Sequence, residues 1–96
     1  MKNINLPIPF APARINHMMI RVKMIANYRD ALPKDHKQGV IELNVSQGAT
    51  VYDVISRFDI PLNDESVIVL NGLTVDMSTP LQEGDMVTAF SAIAGG

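Results

Sequence analysis

Helical periodicity occurs once in this chain. Val51, Val54, Ile55 and Phe58 fall at i, i+3, i+4 and i+7, which puts them on one helix face. Thr50 and Asp53 stand in capping-box spacing at its start, with Asp in place of the usual Glu. Pro61 is expected to stop it. So short a helix is not stable alone and needs a sheet to pack on. The rest of the chain must supply that sheet.

It does so in short segments. Between Met18 and Ile25, Ile20, Val22 and Met24 alternate with Met19, Arg21 and Lys23, the period-2 pattern of a half-buried strand. Residues 27–39 are polar and carry Pro33, so they read as a loop or a broken helical turn. Val40, Ile41, Leu43 and Val45 form a second strand, with Glu42 and Asn44 turned outward. Val67-Ile68-Val69-Leu70 is a continuous apolar run and reads as a buried strand. Asn71-Gly72 is a tight-turn pair, because both residues tolerate positive φ. Leu73 and Val75 begin a short return strand. Glu83-Gly84-Asp85 makes another turn, and Met86 to Phe90 is the last strand. The order strand, strand, helix, strand, short strand, strand predicts an α+β fold: a small mixed sheet with one main helix packed across one face.

Ninety-six residues make one domain. Pro7, Pro9 and Pro12 lie too close together for helix or central strand. Residues 1–17 therefore read as an extended N-terminal arm, either disordered or packed on the surface. Residues 18–91 are the expected folded body and residues 92–96 a flexible tail. With no cysteine, thiolate metal sites, disulfides and a cysteine nucleophile are excluded. Two scattered histidines, His17 and His36, do not make a metal site. The net charge is −2 with no basic cluster, so nucleic acid is not an expected partner. No apolar run reaches the roughly 18–20 residues that span a bilayer. No membrane role is expected, and the expected location is the cytoplasm.

The final residues, Phe90-Ser91-Ala92-Ile93-Ala94-Gly95-Gly96, follow the last strand with no polar linker. A Gly-Gly pair has no Cβ and can thread a narrow channel. Six extended residues after Phe90 reach roughly 20 Å. Such a tail suits a protein whose own terminal carboxylate reacts; a frayed end is the plainer alternative. In the last strand Val87 and Ala89 share one face, and Met86, Thr88 and Phe90 share the other. Phe90 is either core or an exposed aromatic anchor for a partner. Ile93 lies past the strand and is better suited to a partner's groove than to the core. Leu70 fits the same apolar patch or the core, with the core preferred. His36 beside Asp35 reads as solvated, Arg21 and Lys23 as a solvated sheet face, and Asp53 as a helix-start residue. Glu83 and Asp85 flank a turn glycine. The six methionines mostly fill gaps in a small core.

Several of these stretches together resemble a known family. They are Leu81-Gln82-Glu83-Gly84-Asp85-Met86-Val87, Phe90, and Ile93-Ala94-Gly95-Gly96. Gly48-Ala49-Thr50-Val51 and Val69-Leu70-Asn71-Gly72 support them. Over roughly Met19 to Gly96 the chain resembles the small sulfur carriers with a ubiquitin-like β-grasp fold. These are the molybdopterin synthase small subunit and the thiamine-biosynthesis sulfur carrier, MoaD and ThiS. The tail looks closer to the thiamine carriers, since Ser91-Ala92 stands where molybdopterin-type tails often have Pro-Pro. The longer first loop, with Tyr28 to Leu32, looks closer to the molybdopterin subunit. The arm has no counterpart in that pattern.

The resemblance implies a carrier and not an enzyme, with no cofactor of its own. A ubiquitin-activating-like adenylyltransferase would adenylate Gly96, with Gly95 giving clearance, and a sulfur donor would convert it to a thiocarboxylate. The sulfur would then pass to a cofactor synthase, either a molybdopterin synthase large subunit or a thiazole synthase. Phe90, Ile93, Ala94 and Leu70 are the expected partner-binding residues. A ubiquitin-like modifier forming isopeptide bonds and a β-grasp interaction module with an inert tail are the competing readings.

Overall fold

β1 (His17–Met24) and β2 (Val40–Ser46) pair antiparallel, with His17 opposite Ser46 and Lys23 opposite Val40. The computed structural model describes residues 17–93. A 3-10 turn, Ala26–Ala31, leads out of β1. The predicted break in residues 27–39 therefore takes that form. α1 (Val51–Ile55) follows β2, and then come β3 (Ser66–Leu70), β4 (Leu73–Thr74) and β5 (Met86–Ser91). The sheet has five strands in the order β2-β1-β5-β3-β4. β1 and β5 are parallel at its centre, and the other pairs are antiparallel. This is the mixed α+β sheet that the segment order implies.

The alternation in β1 is realised residue by residue. Met18, Ile20, Val22 and Met24 are buried, while Met19 and Arg21 are exposed. Register carries the two faces across the sheet. Val22 lies beside Val87 and Met24 beside Ala89, and all four are fully buried. Val51, Val54 and Ile55 of α1 close the core from the same side. Tyr28, Leu32, Ile60 and Leu81, from the connections, complete it. Burial of each such side chain contributes roughly 1.5–3 kcal/mol.

The capping box forms as the spacing predicts. The Asp53 N–H donates to Thr50 Oγ1 at 3.2 Å, and the Thr50 N–H donates to Asp53 Oδ2 at 2.9 Å. Pro61, however, does not end the helix. α1 stops at Ile55, where Arg57 and Phe58 donate to Val54 and Ile55, three residues back. That tightening turns Phe58 and Ile60 back toward the core, while Ser56, Arg57 and Asp59 stay in water. β3 also departs from expectation, being half-buried along its whole length. Among the described residues, the two-residue β4 is the only strand beyond β3, so that margin of the sheet is narrow.

Turn chemistry sets the hairpin. Asn71 (φ 51°) and Gly72 (φ 88°) both adopt positive φ between β3 and β4. Asn71 is also tied to β5, since its Nδ2 donates to Asp85 Oδ1 and its Oδ1 accepts from the Met86 N–H, each at 2.9 Å. Gly39 (φ 82°) is the tightest glycine. A Cβ there would lie 2.6 Å from the Met24 carbonyl oxygen and 2.7 Å from Arg29 Nε.

Candidate functional site

The site begins where β5 leaves the sheet. Val87 and Ala89 anchor the strand in the core, and their neighbours Met86, Thr88 and Phe90 face the other way. Among the described residues no helix covers that opposite face. Phe90 is half-buried on it, opposite Val67 of β3. Ile25 extends β1 in the same register, with its N–H donating to the Ala89 carbonyl at 3.2 Å, and it is exposed. Ile25, Phe90 and Val67 thus form an apolar row across three strands, beside the point where the chain emerges. Val69 and Met86 continue this surface, and Arg21 and Lys23 of β1 edge it with positive charge.

Phe90 thus lies half-buried on the face away from α1, outside the buried core. Ile93 is 59% exposed beyond the strand end. Leu70 is placed elsewhere. It pairs with the buried Val87 and packs against the core, because alternation along β3 sends it to the side opposite Val67 and Val69. It therefore does not join Phe90, and the core placement is the one realised. Ala94, Gly95 and Gly96 lie outside the described residues, as do residues 1–16 of the expected arm; His17, its expected last residue, is instead the first residue of β1, paired with Ser46.

Residues that the sequence did not single out hold the root of the tail. The Glu65 carbonyl accepts from the Ala92 N–H at 2.8 Å and from the Tyr28 hydroxyl at 3.3 Å. Tyr28 is buried, and its hydroxyl lies 2.7 Å from Ser66 Oγ. Ser66 donates its only hydroxyl proton to the Pro61 carbonyl at 2.6 Å. In the Tyr28–Ser66 bond the tyrosine must therefore be the donor. Ile93 is held as well, its N–H donating to Ser91 Oγ at 3.1 Å. The first-loop tyrosine thus reaches across the molecule to the start of β3, where the Glu65 carbonyl also holds the first residue after β5. Only a signal linking position 28 with positions 65–66 would have revealed this.

The remaining candidates have structural explanations. His36 Nδ1 accepts from the Gly39 N–H at 3.0 Å and shapes a turn. Asp85 accepts from the Gln82 N–H at 2.8 Å, and Glu83 Oε1 accepts from the Met19 N–H at 3.0 Å. Among the described residues no three His, Asp or Glu side chains converge on a metal-sized point. No helix among them is long and apolar enough to cross a membrane.

Comparison with solved structures returns ubiquitin-like proteins. The HVO 2177 protein of Haloferax volcanii is 26% identical and superposes with a TM-score of 0.66, over 84% of this chain and 89% of that one. Small archaeal modifier protein 1 of the same organism is 17% identical, with a TM-score of 0.64 over 79% and 99%. A chain from the complex of subunits 1 and 2 of the Helicobacter pylori molybdopterin-converting factor is 18% identical, with a TM-score of 0.51 over 82% and 100%. No curated protein matches the sequence. The profile of the Mut7-C ubiquitin family matches residues 17–94, from the first residue of β1 to three residues past β5. A mixed sheet with its first and last strands parallel at the centre, one capped helix and this profile over most of its length make the chain a member of the Mut7-C ubiquitin family, with the ubiquitin-like β-grasp fold.

Proposed function

We propose that this chain is a sulfur carrier whose C-terminal Gly96 is the reacting group. One observation carries the reading. The central strand β5 runs from the fully buried Val87 and Ala89 straight to the exposed Ile93, beside the helix-free Ile25–Phe90–Val67 surface. A partner that grips this surface has the tail within reach of its active site. The chemistry follows from what a carboxylate lacks. It is a poor electrophile, so an adenylyltransferase of the ubiquitin-activating type first joins the Gly96 carboxylate oxygen to the α-phosphorus of ATP and releases pyrophosphate. A hydrosulfide-type donor then attacks the carbonyl carbon. A C–S bond forms, the C–O bond to AMP breaks, and a thiocarboxylate results. Gly95 gives the clearance that threading needs.

The chain itself brings no cysteine, so the nucleophile and the phosphate electrostatics belong to the partner. The acceptor we favour is the large subunit of a molybdopterin synthase, in keeping with the likeness to a chain of the two-subunit molybdopterin-converting factor. A thiazole synthase is the alternative acceptor. Phe90, Ile93 and Ala94 are the docking contacts in either case, and the cytoplasm is the proposed location. A second reading, a β-grasp interaction module with an inert tail, has one observation in its favour. The family match ends at Ala94, ahead of both terminal glycines.

Intact-mass spectrometry separates the two. The protein is incubated with ATP, an activating enzyme and sulfide. A gain equal to exchange of one oxygen for sulfur, mapped to Gly96, is the expected result. An unchanged mass with an enzyme that loads another carrier would overturn the proposal in favour of the inert tail.

A further inference from the structure

Asn71 extends the sheet with its side chain. The β3–β5 ladder continues one residue past Leu70, where the Asn71 N–H donates to the Met86 carbonyl at 2.9 Å. In an antiparallel rung the return bond runs from the Met86 N–H to the backbone carbonyl opposite it. Here it runs to Asn71 Oδ1, also at 2.9 Å. The φ of 51° at Asn71 starts the turn that carries the main chain away from β5 toward β4. The other end of the amide is held as well. Asn71 Nδ2 donates to Asp85 Oδ1 at 2.9 Å, and Asp85 Oδ2 is itself fixed by the Gln82 N–H at 2.8 Å. Both polar atoms of one exposed side chain are therefore bound at the start of β5.

The same residue has the neighbour that most favours a change in its own chemistry. The chain has seven asparagines, and Asn71 is the one that glycine follows. A backbone nitrogen can attack the side-chain amide carbon of the residue before it, which makes asparagine a labile residue. A side chain on the attacking residue hinders the approach, and glycine has none. Gly72 is exposed, and a Cβ built on it would meet nothing within 4 Å, so water has access to the turn. What opposes the reaction is the position of the amide. Ring closure has to turn it toward the Gly72 nitrogen, and that motion breaks both bonds to the start of β5.

We propose that Asn71 is a site of spontaneous deamidation, that its two side-chain bonds guard it in the native fold, and that its conversion unlocks the β3–β4 hairpin from β5. The Gly72 nitrogen bonds to Asn71 Cγ, the Cγ–Nδ2 bond breaks, and ammonia leaves with the proton from the Gly72 nitrogen. Water then opens the cyclic imide. Its oxygen bonds to one of the two imide carbonyl carbons, the bond from that carbon to nitrogen breaks, and a proton returns to nitrogen. Opening at Cγ gives aspartate, and opening at the main-chain carbonyl gives isoaspartate. The aspartate product has no N–H to offer Asp85 and sets a second carboxylate against it, where like charges repel. The isoaspartate product lengthens the main chain inside a two-residue turn, which the Leu70–Leu73 pair fixes in length. Either product draws the turn away from Met86, at the margin of the Phe90 surface.

Peptide mapping by mass spectrometry tests this on the full chain, aged in mildly alkaline buffer with and without urea. In urea, position 71 should convert ahead of every other asparagine. In the native fold it should convert at least about tenfold more slowly than in urea. Asp85→Ala removes one end of the clamp and should raise the native rate about threefold or more, with the rate in urea unchanged. Amide hydrogen exchange by NMR reads the consequence. In Asn71→Asp the amides of residues 71 and 73 should exchange at least about tenfold faster, while Ile20 and Val22 stay protected and show that the body is folded. Conversion at position 71 no faster than at the other asparagines in urea overturns the site. Equal native and unfolded rates, or a native Asp85→Ala rate equal to wild type, overturn the guard. Unchanged exchange at residues 71 and 73 in Asn71→Asp overturns the release.

Discussion

Replacing Tyr28 by Phe isolates one hydroxyl at the root of the tail. The ring stays in the core, so the loss is confined to hydrogen bonding. In the wild type that hydroxyl donates to Ser66 Oγ at 2.7 Å, with the Glu65 carbonyl at 3.3 Å as a weaker second acceptor. Ser66 keeps its own bond to Pro61 in the variant, and Glu65 keeps its bond from Ala92. One net hydrogen bond in a partly buried setting is worth about 1 kcal/mol. For a domain of this size that lowers Tm by about 4–8 °C. Ser66→Ala should cost at least as much, because it also strips the Pro61 carbonyl of its donor. In that background the Tyr28 proton falls back on Glu65, and the two losses overlap. A double-mutant cycle by thermal and urea denaturation should therefore give a coupling of at least about 0.5 kcal/mol. A Tyr28→Phe melting point within about 1 °C of wild type, or strictly additive losses, would refute the donor assignment and the role given to this network.

Gly39→Ala should destabilise the fold by several kcal/mol, beyond the roughly 1–2 kcal/mol of a positive φ, because its Cβ would meet the Met24 backbone oxygen. Gly72→Ala, with open space around it, should cost the φ penalty alone, and denaturant midpoints compare the two. Thr50→Ala should cost about 1 kcal/mol by removing the cap from a five-residue helix, read from the same curves. Phe90→Ala should weaken binding to the activating enzyme tenfold or more, about 1.4 kcal/mol, with a smaller loss of stability than Val87→Ala. Equal binding by calorimetry would remove Phe90 from the docking surface. Deleting Gly96 should abolish sulfur loading, and full loading of the shortened chain, by intact mass, would show that another group reacts.

Much of the body was legible because its signals are local. The β1 alternation, the Thr50–Asp53 box and the Asn71-Gly72 turn each depend on residues within a few positions, and each forms as read. The length of α1 is not legible from periodicity, since Phe58 continues the apolar period yet reaches the core through a tightened turn. The apolar run of β3 predicts a buried strand, but such a run does not reveal how far a neighbouring layer extends. The docking face was half legible. Parity placed Phe90 with Met86 and Thr88, but only pairing with β3 and β1 brings Val67 and Ile25 beside it. The Tyr28–Ser66–Glu65 network spans 37 and 38 positions in sequence, and no local pattern encodes it.

The parallel pairing of β1 and β5 has a mechanical meaning. One strand brings the chain into the sheet and the other takes it out, so the start of β1 and the end of β5 lie at opposite ends of the sheet along the strand direction. A force that pulls on the segment after Ser91 while the start of β1 is held slides the two strands past each other. The rungs between them then bear the load together, in shear, and do not peel apart one at a time. A partner can tug on such a tail, or withdraw it from a tight passage, while the body behind it stays folded.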